Sequence, residues 1–284
     1  MLMDLLSKAA TVAMLSFVVS SMLAMGAGLT IPQIAEPLRN ARLVVLALLA
    51  NFVVMPLGAL ALARLLWLDE PFGTGLLLLG CAAGAPFLPK LAELAKGNLA
   101  FAVGAMVLLM VVTVGYLPIV LPLLLPGITV NPWGIARSLL LLMLLPLAIG
   151  LAVKARYGEL AVRVKPVLDW ISNVSLILLV CLITAANIDK VVQVFGTRAI
   201  LAGLLFIALG LGAGWLLGGT SADTKRVMAL GTAQRNIAAA LVVASQSFSD
   251  ARVVVMVIVV AIVGLIVLMP LSRALASLRG EPIS

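Results

Sequence analysis

The sequence predicts an all-α polytopic membrane protein, from its overall apolarity, the length of its apolar runs and the lack of alternation within them. Hydrophobic residues make up 64% of the 284 positions, charged residues only 11%, and the mean hydropathy is +1.26. A soluble domain is about half apolar and a quarter charged, so lipid must be the main solvent. Runs such as 139–151 are apolar on every side, whereas membrane β-strands alternate, so helices are the expected spanning elements.

Nine apolar runs are long enough to be membrane spans, because a helix needs about 20 apolar residues to cross a bilayer core. They cover residues 9–27, 43–66, 74–94, 99–125, 134–153, 168–187, 199–218, 226–246 and 252–275. The first run has no clear cleavage site and is expected to stay as a span. The connections are expected to be short, the longest being 154–167, so a single transmembrane domain over 1–284 is predicted.

The net charge of +8 follows from topology rather than from a polyanion partner. Lys and Arg gather on alternate loops, and by the positive-inside rule the richer set faces the cytoplasm. This predicts an inner-membrane protein with its N-terminus outside and its C-terminus in the cytoplasm, and no nucleic-acid partner. The richer set is Arg39, Arg42, Lys96, Lys154, Arg156, Arg163, Lys165, Lys225, Arg226, Arg273 and Arg279, and the poorer set is Lys8, Arg64, Arg137, Lys190, Arg198 and Arg252.

The third span carries helix-breaking residues at membrane depth. Between Gly80 and Lys90 it contains Gly84, Pro86 and Pro89. A proline removes an amide donor and clashes with the preceding turn, so an interrupted helix is predicted. Irregular backbone at this depth is expected only where protein or a cavity supplies hydrogen-bond partners.

The eighth span carries the most polar cluster within an apolar run, namely Gln234, Arg235 and Asn236. Interrupted helices at matching places in two halves of a transporter mark its substrate site. If the chain consists of two inverted five-helix halves lacking the first helix, the third and eighth spans are symmetry mates. Their interruptions are then expected to cross near the midplane.

Charge inside the membrane costs about 2.5 to 3.5 kcal/mol per residue and indicates function by default. Arg235 is the stronger candidate for holding a substrate. Lys90 has an equally good alternative, since it could pair with Glu93 and extend toward the interface. Asn51, within the second span and followed by Pro56, suits either a helix–helix hydrogen bond or a ligand contact.

Other polar and small residues are interpreted as packing. The glycines between Gly210 and Gly219 favour close helix contacts over a nucleotide loop, because no strand precedes them. With no histidine and no thiol placed beside a base, no enzyme, cofactor or metal site is expected. The polar residues assigned to packing are Thr113, Tyr116, Ser172, Asn173, Ser175, Thr184 and Asn187.

The chain resembles the bile acid:sodium symporter superfamily over almost its whole length. The residues that carry the resemblance are Met25-Gly26 with Gly28-Leu29, Asn51 with Met55-Pro56, Gly80-Cys81 through Gly84, Leu94-Ala95-Lys96-Gly97-Asn98, and Gln234-Arg235-Asn236. The resemblance implies that the family's first helix is absent. It also implies inverted repeats, two crossed broken helices, alternating access and an organic-anion substrate. A panel of spans 9–27, 134–153 and 168–187 would pack beside a core of spans 43–66, 74–94, 99–125, 199–218, 226–246 and 252–275.

On this alignment the family's sodium ligands are degenerate. Its Ser-Asn pair falls on Leu88 and Pro89, its fifth-helix hydroxyls on Ala102 and Met106, and its glutamate on Gly231. None of these side chains offers an oxygen to a hard cation. The family's glutamine beside the asparagine becomes Arg235, so the local electrostatics are reversed.

The function that follows is secondary or facilitative transport of a small organic anion without sodium. Arg235 or Lys90 would hold the substrate carboxylate, helped by Gln234, Asn236, Asn51 and the helix-end amides near Gly84–Pro86. Four alternatives stay open. They are a sodium-coupled symporter with other ligands, arsenite efflux through Cys81, a channel or non-transporting subunit, and a membrane enzyme using Lys90 or Cys81.

Overall fold

The computed structural model describes residues 2–125, 131–186, 194 and 197–277, and their regular structure is helical, as predicted. A 3₁₀ turn spans Glu36–Arg39, and π turns span Ala50–Val54 and Leu140–Leu144. The helices are α1 (Leu2–Gly28), α2 (Ile31–Ala35), α3 (Ala41–Leu49), α4 (Met55–Leu65), α5 (Glu70–Cys81), α6 (Leu88–Leu94), α7 (Leu99–Leu124), α8 (Pro132–Leu139), α9 (Leu145–Arg156), α10 (Gly158–Ala186), α11 (Ala199–Leu217), α12 (Ala222–Ala233), α13 (Ile237–Ser247) and α14 (Ala251–Ser277).

Within the described residues, eight helical stretches are long and apolar enough to cross a membrane. Each overlaps one of the predicted spans. The predicted span 74–94 is not among the eight, because it consists of the two shorter helices α5 and α6. The eight are Lys8–Gly28, Ala41–Leu65, Leu99–Leu124, Pro132–Arg156, Gly158–Leu182, Ala199–Leu217, Ala222–Ser247 and Ala251–Ser277.

The connection expected over 154–167 is wrong, because most of it is helix. Only Tyr157, with φ −132° and ψ 63°, separates α9 from α10. The first turns of α10 are stabilised by the buried Ala161 and by an i,i+4 ion pair of 2.6 Å between Lys165 and Asp169. Asn187 and Lys190, used above for packing and topology, lie outside the described residues.

Helix α1 packs against α9 and α10, and these three helices correspond to the spans predicted as the panel. The contact between α1 and α9 is made by backbone. A Cβ on Gly26 would collide with the Leu147 carbonyl oxygen, and a Cβ on Gly150 would lie 2.5 Å from the Leu23 carbonyl oxygen. The division into a panel and a core, and the inverted repeat, remain predictions.

Helix α11 lies directly against α12, which confirms the predicted packing role of Gly210, Gly214 and Gly218, whereas Gly212 meets nothing within 4 Å. A Cβ on Gly210 would lie 2.6 Å from Ala233 Cα, and one on Gly218 would lie 2.5 Å from Lys225 Cα. Between them, a Cβ on Gly214 would collide with the Met228 carbonyl oxygen. Three glycines spaced four apart therefore allow the two backbones to approach along the whole of α12.

Candidate functional site

The third predicted span is interrupted, as its glycines and prolines predict. Helix α5 ends at Cys81 and α6 begins at Leu88. Gly84 lies in the gap with φ +79°, and a Cβ there would collide with the Met110 backbone nitrogen, so only glycine fits. Pro86 lies in the gap as well, whereas Pro89 stands in the first turn of α6. Pro89 therefore starts a helix rather than breaking one.

The eighth predicted span is interrupted at residues 234–236, and its gap meets the first one. The Asn236 backbone N–H donates to the Ala82 carbonyl at 2.9 Å, and Asn236 Nδ2 donates to the Gly84 carbonyl at 3.1 Å. Asn236 Oδ1 accepts from the Ala239 N–H at 3.1 Å and so caps α13. The buried Asn236 thus joins the two interruptions, and the predicted crossing is present.

Arg235 lies at this crossing with 4% of its surface exposed. Its guanidinium makes five hydrogen bonds, one for each of its N–H groups. Nε donates to the Leu79 carbonyl at 2.8 Å, and Nη2 donates to the carbonyls of Gly80 at 2.8 Å and Asn51 at 3.4 Å. Nη1 donates to Asn51 Oδ1 at 2.6 Å and to the Thr232 carbonyl at 3.1 Å.

These acceptors are available because helices end or deform around the guanidinium. Leu79 and Gly80 belong to the last turn of α5, and Thr232 to the last turn of α12, where carbonyls lack the usual partner four residues later. The Leu79 carbonyl accepts from the Ala82 N–H at 3.1 Å as well as from Arg235. Each helix C-terminus also carries about half a negative charge. Two such ends therefore converge on one cation.

Pro56 explains why the Asn51 carbonyl is free to accept from Arg235. In the π turn before it, a carbonyl bonds to the amide five residues later, and the amide due for Asn51 is the missing N–H of Pro56. The Asn51 carbonyl is left for Arg235. The Phe52 carbonyl, which an α-helix would pair with the same missing N–H, accepts from the Tyr116 hydroxyl at 2.6 Å.

The hydroxyls of Thr113 and Tyr116, both on α7, hydrogen-bond to the gap after α5 and to the π turn before α4. The sequence analysis assigned both residues only to packing. Thr113 Oγ1 accepts from the Ala83 N–H at 3.0 Å and donates to the Ala83 carbonyl at 3.1 Å. Tyr116, one turn later, holds the π turn. The available signal was their i,i+3 spacing, which places both hydroxyls on one face of α7.

The positions predicted to align with the family's sodium ligands hold apolar side chains. Leu88 lies over Gly231, with its Cδ2 2.8 Å from where a Cβ on Gly231 would lie. Ala102 and Met106 are buried in the same apolar cluster as Leu88, and Pro89 is half-buried. Among the described residues, no group of three or more His, Cys, Asp and Glu side chains is placed to hold a metal ion.

The structure brings together only some of the residues predicted to bind substrate. Arg235 bonds to Asn51, and the neighbouring Asn236 bonds to Gly84. Gln234 is 5% exposed and lies near Gly264 of α14, while Pro86 is half-buried at the gap. In this conformation every Arg235 N–H has a protein acceptor, so a substrate carboxylate would have to displace one of them.

Lys90 lies apart from this network. Its Nζ donates to Glu93 Oε2 at 2.9 Å, with side chains 54% and 61% exposed. The ion pair with Glu93, which was the alternative to a functional role for Lys90, is therefore present. Because both side chains are exposed, Lys90 is also the one predicted site cation whose charged group is open to an incoming ligand.

Comparison with known proteins relates the chain to transporters. The model of the sodium bile acid symporter family matches residues 14–194, which include the gap at 82–87 but not Arg235.

A Bacillus subtilis protein named an uncharacterized sodium-dependent transporter is 28% identical over 207 residues, covering 69% of this chain and 60% of that protein. A probable chloroplastic sodium/metabolite cotransporter of Arabidopsis thaliana is 26% identical over 234 residues, covering 81% and 58%. A similarly named protein of Oryza sativa subsp. japonica is 25% identical over 238 residues, covering 82% and 57%. The chain thus matches less than two thirds of the length of these relatives.

Proposed function

Because the chain belongs to the sodium bile acid symporter family, we propose that it carries a small organic anion across the membrane by alternating access, without sodium. In this proposal it is an inner-membrane protein with its N-terminus outside, and it acts as a transporter rather than an enzyme. The observation that carries the proposal is the position of the Arg235 guanidinium between two half-helix C-termini.

Unwound carbonyls and half-helix C-terminal ends are the groups with which transporters coordinate a coupling cation. Here the same kinds of groups receive a cation that is covalently part of the chain. A sodium ion 4 Å from the guanidinium would be repelled by about 4 kcal/mol at an effective dielectric constant near 20. This repulsion would lower the affinity for sodium about a thousandfold. The guanidinium, as a tethered cation, and a free sodium ion would therefore exclude each other.

The apolar contact between Leu88 and Gly231 supports the same conclusion at the other expected ion position. With both positions closed to sodium, uniport, anion exchange or proton-coupled uptake would remain. The substrate anion would bind beside the crossing. The positive charge of Arg235 favours an anion there, and Lys90 and Gln234 are predicted ligands that do not bond to the guanidinium.

The experiment is transport by purified protein in proteoliposomes. A thermal-shift screen of carboxylates and sulfonates, with and without sodium, first supplies a radiolabelled substrate. Its uptake is then measured with sodium replaced by potassium or choline at constant ionic strength. We expect uptake to be unchanged by the replacement. Uptake that disappears without sodium would defeat the proposal.

The printed names of the relatives favour a second candidate, a sodium-coupled symporter. It would require sodium to bind elsewhere, for example through backbone carbonyls. A sodium titration of substrate affinity separates the two candidates, since only the symporter would bind its substrate more tightly as sodium rises.

A further inference from the structure

Helix α6 has one face that its packing leaves uncovered. It packs against α7, α12 and α14, where Leu88, Leu91 and Ala92 are buried. Lys90 and Glu93 occupy the other face and are more than half exposed. A charged pair therefore lies on the open side of the half-helix that follows the gap at 82–87.

The depth of this pair decides what surrounds it. Lys90 lies two residues into α6, about 3 Å along the axis from its first residue, and α6 follows the gap in which Ala82 and Gly84 contact Asn236. With the crossing at the midplane, as the sequence predicts, Lys90 and Glu93 lie inside a bilayer core whose half-thickness is about 15 Å. Charges exposed to acyl chains at this depth cost several kcal/mol. Water on this side of α6 removes that cost, so the exposure of the pair indicates an aqueous space.

On the opposite side of the crossing, α13 is linked to two other helices by side-chain contacts. At the far end of α13, the Ser138 hydroxyl of α8 donates to Gln246 Oε1 at 2.5 Å. Next to it, the Ser245 hydroxyl contacts Met14 Sδ of α1 at 3.3 Å. Two polar contacts thus link α13 to α8 and α1 on the side of Ser247, while the side of the Lys96–Asn98 turn is approached along α6.

We propose that Lys90 and Glu93 line a water-filled vestibule open on the side of the Lys96–Asn98 turn, and that the substrate's carboxylate or sulfonate replaces Glu93 as the partner of Lys90. The proposal rests on the proposed function and assigns a role to Glu93, which becomes an internal counter-ion that lowers the affinity for anions. An exposed ion pair of this kind contributes little stability, so its exchange for a substrate anion is inexpensive.

The test uses thiol labelling and needs no substrate. In a Cys81→Ala, Cys181→Ser background, cysteines replace Lys90, Glu93 or, as a control, Ile177, which is 64% exposed in the middle of α10. Membrane-impermeant anionic (sulfonatoethyl) and cationic (trimethylammonioethyl) methanethiosulfonates are added to vesicles of each orientation. Thiolates react only in water, so we expect positions 90 and 93 to react from the side of the Lys96–Asn98 turn, and Ile177→Cys not to react.

The second measurement tests the role of Lys90. In Glu93→Cys the ratio of anionic to cationic reagent rates is expected to fall about tenfold when Lys90→Met is added, because a nearby positive charge favours the sulfonate. Unreactive thiols at 90 and 93, or reaction from the opposite side, would overturn the vestibule. An unchanged rate ratio would overturn the anion site. Both readouts are independent of sodium, so they separate this inference from the proposed function.

Discussion

Replacing Arg235 by Gln removes the tethered cation but leaves the oxygens that surround it. Five hydrogen bonds end at the guanidinium, and a Gln amide can restore at most two. A buried acceptor that loses its donor costs about 1–3 kcal/mol, and water entering the vacated space offsets part of this. We therefore expect Arg235→Gln to lower the free energy of unfolding by about 3 kcal/mol.

The variant should then bind free cations, which we propose that the wild type excludes. With a Kd of about 10 mM, 100 mM sodium would stabilise the folded variant by about 1.4 kcal/mol. For a protein of this size that is an increase of about 2 to 3 °C in Tm. The assay is thermal unfolding followed by Trp fluorescence, in sodium, potassium, guanidinium or choline chloride at low concentration and equal ionic strength.

The matched control is Arg64→Gln, which removes an exposed arginine and should change neither Tm nor the response to sodium. Choline is too large for the vacated space and provides the baseline. An Arg235→Gln protein as stable as the wild type, or one whose Tm responds to sodium no more than the wild type does, would refute the assignment of Arg235 as a tethered cation.

Three further substitutions test the packing around the crossing, each by thermal unfolding. Gly84→Ala should lower the free energy of unfolding by several kcal/mol, because Gly84 has a φ of +79° and lies against the α7 backbone. The control Gly115→Ala should be neutral or stabilising, because a Cβ there meets nothing within 4 Å. Equal effects of the two would contradict the geometry. Gly214→Leu should prevent α11 from approaching α12, while Gly212→Ala should stabilise by up to about 1 kcal/mol; a tolerated Gly214→Leu would show that the helices separate freely. Tyr116→Phe should cost about 1–2 kcal/mol through the lost hydrogen bond to the Phe52 carbonyl, and no change would mean that water replaces the hydroxyl.

The fold was largely predictable because lipid imposes simple rules on the sequence. Apolar length located the eight long helical stretches, and the prolines and glycines of 80–90 located the first interruption. The start of α10 was missed. Its charged residues suggested a loop, whereas the pairing of Lys165 with Asp169 is compatible with a helix at the interface.

The candidate site was only partly predictable. Polarity at membrane depth singled out Arg235, Asn236 and Asn51, and the contact of Asn236 with the first gap followed from the predicted crossing. The contact of Arg235 with Asn51, in the second span, did not. Their partners were not predictable, because backbone carbonyls carry no sequence label. Every Arg235 N–H donates to a protein acceptor because two helices end beside it and because Pro56 lacks an amide hydrogen. The sequence does not show which carbonyls these features leave free.

The guanidinium of Arg235 bonds at once to α5, to α12 and to the π turn that precedes α4. Moving any one of these segments relative to the others would break several buried hydrogen bonds. The three are therefore expected to travel as a single rigid body during a transport cycle. Motion would be confined to the borders of that body, such as the weaker polar contacts that Ser138 and Ser245 make near the end of α13.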